Sequence, residues 1–173
     1  FVKGRDFTWT LIFTQKYYVF QDSYLDLALL KTSLRNTTYI PLSKDPPRKL
    51  QRVIAAGYPF GKYVSDDMKF TSGIVSSLKG IGDDSTRLQI DAALNPGNSG
   101  GPIINEETGE LVAVAVAGLR KDKTEAVNFG IKTISVKNFL ESNQINTKTF
   151  TKKYSRESIA SLLEKSTLYT FCK

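Results

Sequence analysis

Residues 111–117 alternate without a break, with Val112, Val114 and Val116 on one side and Leu111, Ala113, Ala115 and Ala117 on the other. A period of two is the period of a β-strand, and a face built of alanines lets a second sheet or a ligand backbone come close. Shorter runs of the same kind recur along the chain, at 7–13, 17–20, 27–30, 53–57, 70–75, 87–90 and 127–131. They are rich in aromatic and β-branched residues, and turn residues separate them: Pro46 and Pro47, Pro59 and Gly61, Gly80 and Gly82. Many short strands cut by frequent turns predict a sandwich or a barrel. Two helices are predicted near the end. Val136, Phe139 and Leu140 have helical spacing over 133–142. A second helix over 155–165 has Ser155 as its cap, Glu157 in its first turn and a stripe of Ile159, Leu162 and Leu163. A polar linker over 146–153 joins them.

Composition narrows the chemistry. The 173 residues are 40% apolar and 24% charged, an ordinary globular balance able to bury a core. No apolar run approaches the ~18 residues of a membrane span, so none is predicted. There is no histidine, which excludes a histidine metal site, a histidine base and a histidine pH switch within this chain. One cysteine, Cys172, excludes an internal disulfide and a cysteine-rich zinc site. The net charge is +7, of which residues 145–173 supply +4, with six Lys/Arg against two Asp/Glu. Without a basic run or an aromatic stacking pattern, this reads as a solvated tail and nucleic acid is not expected as a partner.

The strongest local signal is Asp91-Ala92-Ala93-Leu94-Asn95-Pro96-Gly97-Asn98-Ser99-Gly100-Gly101-Pro102. Glycines and prolines packed around one serine force a tight, unusual backbone. Such a turn can aim neighbouring N–H groups, here those of Gly97 and Ser99, at one point beside the hydroxyl. Donors aimed at a developing oxyanion are worth roughly 3–4 kcal/mol each. Taken alone, the same residues also suit a glycine-rich β-turn.

Four segments, in order, make the sequence resemble the trypsin-like serine proteases, and among them the HtrA/Deg family. They are Asp26-Leu27-Ala28-Leu29-Leu30-Lys31, Ala56-Gly57-Tyr58-Pro59-Phe60-Gly61, Thr71-Ser72-Gly73-Ile74-Val75-Ser76-Ser77-Leu78, and the serine motif continued through Ile103-Ile104-Asn105. Val127-Asn128-Phe129-Gly130-Ile131 is a fifth, weaker match, and the likeness covers about residues 20–142. The resemblance implies an all-β, chymotrypsin-like double β-barrel, with the first barrel incomplete, a helix after the second and a further short tail helix. The expected division is 1–61 for the remainder of the first barrel and its connection, 62–144 for the second barrel with the serine motif, and 145–173 for the tail. The resemblance further implies Ser99 as nucleophile, Asp26 as the aspartate that orients a histidine, and an oxyanion hole at Gly97, Asn98 and Ser99. It places Ala93 at the base of the first specificity pocket, with Leu94, Val116, Ala117 and Gly118 binding substrate. A small apolar residue before the scissile bond fits Ala93, whereas a Lys/Arg preference would need a carboxylate there. The implied partner is a polypeptide, with no cofactor and no metal, in the periplasm or outside the cell.

The departure from the family is the histidine. The family carries it upstream of the aspartate, and only 25 residues precede Asp26 here, none of them His. The expectation is a piece of a longer protease whose upstream part bears the base. The alternative is a catalytically dead barrel that binds peptides. The chain also lacks the length for the family's usual PDZ domain after the first helix, and its tail is expected to pack on the barrel or to contact another subunit or the missing segment. Residues 166–171 read as a short strand that presents Cys172 to a cysteine upstream, against the alternative of a free thiol.

Overall fold

The computed structural model describes residues 19–30, 38–59, 67–116, 126–147 and 154–168. The expected strand over 7–13, the site residues Ala117 and Gly118, and Cys172 lie outside the described residues.

Among the described residues the first element is a hairpin of β1 (Val19–Asp22) and β2 (Leu27–Leu30), with Asp22 opposite Leu27. Its turn is local chemistry: the Asp22 carboxylate accepts the N–H groups of Tyr24 and Leu25, both at 2.9 Å. Six further strands follow: β3 (Arg52–Gly57), β4 (Lys69–Ser77), β5 (Arg87–Ile90), β6 (Pro102–Asn105), β7 (Leu111–Val116) and β8 (Asn128–Lys132). They close into one antiparallel barrel in the order β3-β4-β5-β8-β7-β6. Closure leaves no strand edge to be capped. Two helices complete the described chain, α1 (Thr133–Ser142) and α2 (Arg156–Ser166).

Two apolar clusters divide the strand residues by face. Val53, Ala55, Val75, Leu88, Ile90, Ile103, Ala113 and Ala115 belong to the cluster that fills the barrel. Ala56, Ile104, Val114, Val116, Phe129 and Ile131 belong to the cluster outside it, covered by Leu27 of β2, Val136 and Phe139 of α1, and Ile159 and Leu163 of α2.

Three expectations change. Arg52–Gly57, grouped with the first barrel by the sequence, is a strand of the closed barrel, so that barrel begins ahead of residue 62. Its pairing with β4 and β6 is long-range and carries no local signature. The alternation over 111–117 does not hold throughout: Val112 shares the interior cluster with Ala113 and Ala115, while Leu111 sides with Val114 and Val116. The β6–β7 register shifts between Ile103 and Ile104, the mark of a β-bulge, and a bulge reverses the facing of the residues beyond it. Finally, Ser166, expected in a terminal strand, is the last residue of α2.

Candidate active site

The serine segment is the connection from β5 to β6. Once the chain passes Ile90 it leaves the sheet, so its backbone groups need other partners. Asp91 supplies two links to β4: its carboxylate accepts the Ile74 N–H at 2.6 Å and its own N–H donates to the Ile74 carbonyl at 3.3 Å. The next two carbonyls are taken by side chains. Asn128 donates from its carboxamide to the Ala92 carbonyl at 2.9 Å, and the Thr71 hydroxyl donates to the Ala93 carbonyl at 2.8 Å.

The turn itself is braced from inside. The Asn98 N–H donates to the Asn95 carbonyl at 2.9 Å, and the Asn95 N–H donates to the Asn98 carboxamide oxygen at 3.1 Å. The Gly100 N–H donates to the Ala115 carbonyl and the Gly101 N–H to the Asn98 carbonyl, at 2.8 and 2.9 Å. Gly97 and Gly100 have φ of 102° and 83°, a region closed to most side chains. Three of five successive N–H groups are thereby committed. Those of Gly97 and Ser99 find no acceptor among the described residues. The Ser99 hydroxyl likewise has no partner among them. Asn98, grouped with the oxyanion hole on sequence grounds, therefore does not offer its N–H; its part is to hold the turn shut.

The other sequence-predicted residues are placed as follows. Ala93 is exposed, between Ala92 at 1% and Leu94 at 6% exposure. The Leu94 side chain lies in the interior cluster and that of Val116 in the outer one, so neither side chain is a free pocket wall. Asp26 ends the β1–β2 turn in left-handed backbone, φ 59°, directly before Leu27, which is buried in the outer cluster. Sequence reasoning placed Thr71 and Asn128 inside the family-like segments but gave neither a part in the serine turn, since no local pattern ties them to it.

Charge is displaced elsewhere. Burial pushes the Asp84 carboxyl up, but the Thr86 hydroxyl and N–H, Arg87 and Lys132 outweigh it and hold Asp84 below the usual aspartate value. Burial lowers Lys132, with Asp84 opposing. Glu157 is lowered by hydrogen bonds from its own backbone and from Ser155. None of these groups belongs to the serine segment. No group of three or more potential metal ligands occurs among the described residues.

Residues 3–114 match the model of the trypsin-like peptidase domain. Over 107 residues the chain is 38% identical to the chloroplastic Protease Do-like 2 of Arabidopsis thaliana, covering 59% of this chain and 17% of that protein. It is 36% identical over 130 residues to the serine protease Do-like HtrA of Bacillus subtilis, covering 69% of this chain and 28% of that one. The chain thus spans less than a third of the length of these curated relatives. Among solved structures, a serine endoprotease from Yersinia pestis superposes with TM-score 0.62 at 30% identity, over 73% of this chain and 43% of its own. An HtrA-type protease solved with a tripeptide gives 0.58 at 31%, over 68% and 39%. These neighbours make the fold chymotrypsin-like.

Proposed function

The chain belongs to the trypsin-like peptidases and is homologous to the HtrA/Deg serine proteases, and from that membership we propose that it carries the serine half of an endopeptidase site acting on extended or unfolded polypeptide. The observation that carries this reading is the pair of uncommitted N–H groups, Gly97 and Ser99, beside an unpartnered Ser99 hydroxyl. In the proposed reaction Ser99 Oγ bonds to the scissile carbonyl carbon, and its proton passes to a base. The two N–H groups bind the oxyanion. Collapse breaks the C–N bond, the amine leaves with that proton, and water releases the acyl group. Asp26 orients the base and stabilises its charged form.

The base is a histidine that the 173 residues do not contain. Supplied from outside this chain, it completes the triad; unsupplied, Ser99 stays a poor nucleophile and the barrel holds peptide without cutting it. That second reading is favoured by the absence of histidine alone. For specificity, the exposed Ala93 methyl suits a small apolar residue before the scissile bond, and the backbone beside Val116, Ala117 and Gly118 would pair with substrate as an added strand. A first barrel built around β1 and β2, and an extracytoplasmic setting, belong to the same proposal. Among the described residues no helix is long and apolar enough to cross a membrane.

The test is labelling by a fluorophosphonate together with casein hydrolysis. The 173-residue chain is expected to do neither at a protease rate, and a longer chain in which a histidine-bearing segment is joined ahead of it is expected to do both, with S99A abolishing them. Protease-like turnover by the chain alone would require another base and would sink the assignment. A longer, histidine-bearing chain that stays inert would favour the peptide-binding reading.

A further inference from the structure

Between the end of β5 and Asn95 the chain has left the β-ladders and leads into the serine turn. β5 has two neighbours in the barrel, β4 and β8, and each sends one side chain across the gap. Asn128 stands opposite Ile90 in the β5–β8 ladder, and its carboxamide reaches two residues further, to the Ala92 carbonyl at 2.9 Å. On the other flank Thr71 of β4 reaches the Ala93 carbonyl at 2.8 Å. Asn128 is only 7% exposed, so this bond forms where water does not replace it easily. Two adjacent peptide planes are therefore held from opposite sides, with Ala92 and Leu94 sunk in the core and Ala93 alone turned outward.

We propose that Asn128 and Thr71 are positioning residues that fix the depth of the pocket ahead of Ser99, and so enforce selection of a small apolar substrate residue. The role rests on the peptidase reading above. It differs from that reading in its atoms: neither residue touches the reacting bond, and both act through the carbonyls that orient Ala93. With the two tethers in place the peptide planes on either side of Ala93 are fixed, and so is the height at which its methyl meets a substrate side chain. With either tether cut, the peptide plane at Ala92 or Ala93 can rotate, and discrimination between small and bulky residues falls.

The experiment compares the full 173-residue chain with T71V, T71S and N128D. T71V keeps the shape and removes the donor, N128D replaces the donating carboxamide with an acid that repels the Ala92 carbonyl once ionised, and T71S keeps the hydroxyl donor. Two readouts are taken: anisotropy of fluorescein-labelled pentapeptides with a free carboxylate, ending in Val or Phe, and amide exchange over residues 92–99. T71V is expected to cut the Val-over-Phe preference by roughly two- to tenfold, the worth of one ordinary hydrogen bond, N128D by at least as much, and both to speed exchange in that segment. T71S is expected to match the unmodified chain in both. Should N128D fail to fold, the partly exposed Thr71 pair still decides. Unchanged preference in T71V, or equal damage in T71S, overturns the proposal. If the unmodified chain binds neither peptide, the peptidase reading falls and selection with it, while amide exchange alone still decides whether the two side chains hold the segment.

Discussion

Asn95 and Asn98 close a reciprocal ring: each accepts, through its carbonyl or its carboxamide oxygen, the backbone N–H of the other, at 2.9 and 3.1 Å. Asn98 is 2% exposed, so its side chain is a structural strut inside the serine turn. By consuming the Asn98 N–H, the ring leaves the flanking Gly97 and Ser99 N–H groups as the available pair. Asn98→Ala removes the carboxamide oxygen that accepts the Asn95 N–H, at a cost of about 1–3 kcal/mol. The expected outcome is a lower midpoint in urea and faster exchange of the Asn95 to Gly101 amides, with no change for α2. Unaltered exchange in the turn would count against the strut.

Gly101 runs against β3. A Cβ placed on it would stand 2.3 Å from the Ala56 carbonyl oxygen, a backbone atom with nowhere to retreat. Gly101→Ala must therefore push β3 and the serine turn apart. The expected loss is at least the roughly 1–3 kcal/mol of an overpacked core, read as a fall in Tm. A variant as stable as the parent would show that the two segments are looser than described.

Acid should weaken the β4–β5 connection through Asp84. Its carboxyl is held below the ordinary aspartate range because the Thr86 bonds, Arg87 and Lys132 together outweigh burial. A depressed folded-state value means stability that is fully present above the unfolded-state pKa of about 3.9 and is lost as pH falls through the lowered one. Thermal midpoints taken from pH 5 downward should decline, and D84N should flatten that part of the curve. Lys132, lowered by burial, acts at the other end: stability rises as pH climbs through its lowered pKa. A D84N acid limb that parallels the parent's would refute the Asp84 contribution.

Helix α2 packs on the barrel through Ile159 and Leu163, and one buried carboxylate ties its first turn to β3. Glu106, 9% exposed, accepts from Arg52 of β3 at 2.6 Å and also from Arg156 in the first turn of α2. Both arginine side chains are largely exposed, so each pair is a surface-class interaction of about 0.2–1 kcal/mol. Ser155 adds a cap, accepting the Ser158 N–H at 3.3 Å. Ser155→Ala should cost about 1 kcal/mol of helix stability, and E106Q should loosen the same helix. Both are expected to speed exchange at Ile159, Leu162 and Leu163 while the barrel strands keep their protection. Equal loss of protection in barrel and helix would mean that α2 does not open on its own.

The sequence by itself determined what depends on near neighbours. Helix α1 falls where Val136, Phe139 and Leu140 place it, and α2 begins one residue after its predicted cap, because caps and apolar stripes act within a turn or two. The strands β2, β4, β5 and β8 were legible for the same reason, and the ordered motifs carried the family. The serine turn was recognisable from Pro96, Gly97, Gly100 and Gly101, whose conformational limits are their own. What only the tertiary structure decided is whatever needs a partner distant in the chain. β3 closes the barrel through β4 and β6, and β6 itself is so short, and so hidden behind glycine and proline, that pairing alone defines it. A register shift against Ile103 and Ile104 turned Val112 inward against its own alternation. Asn128 and Thr71 became part of the serine segment only because β8 and β4 flank β5. A carbonyl that has left its ladder takes whatever donor the fold brings beside it, and no local pattern announces which one that is.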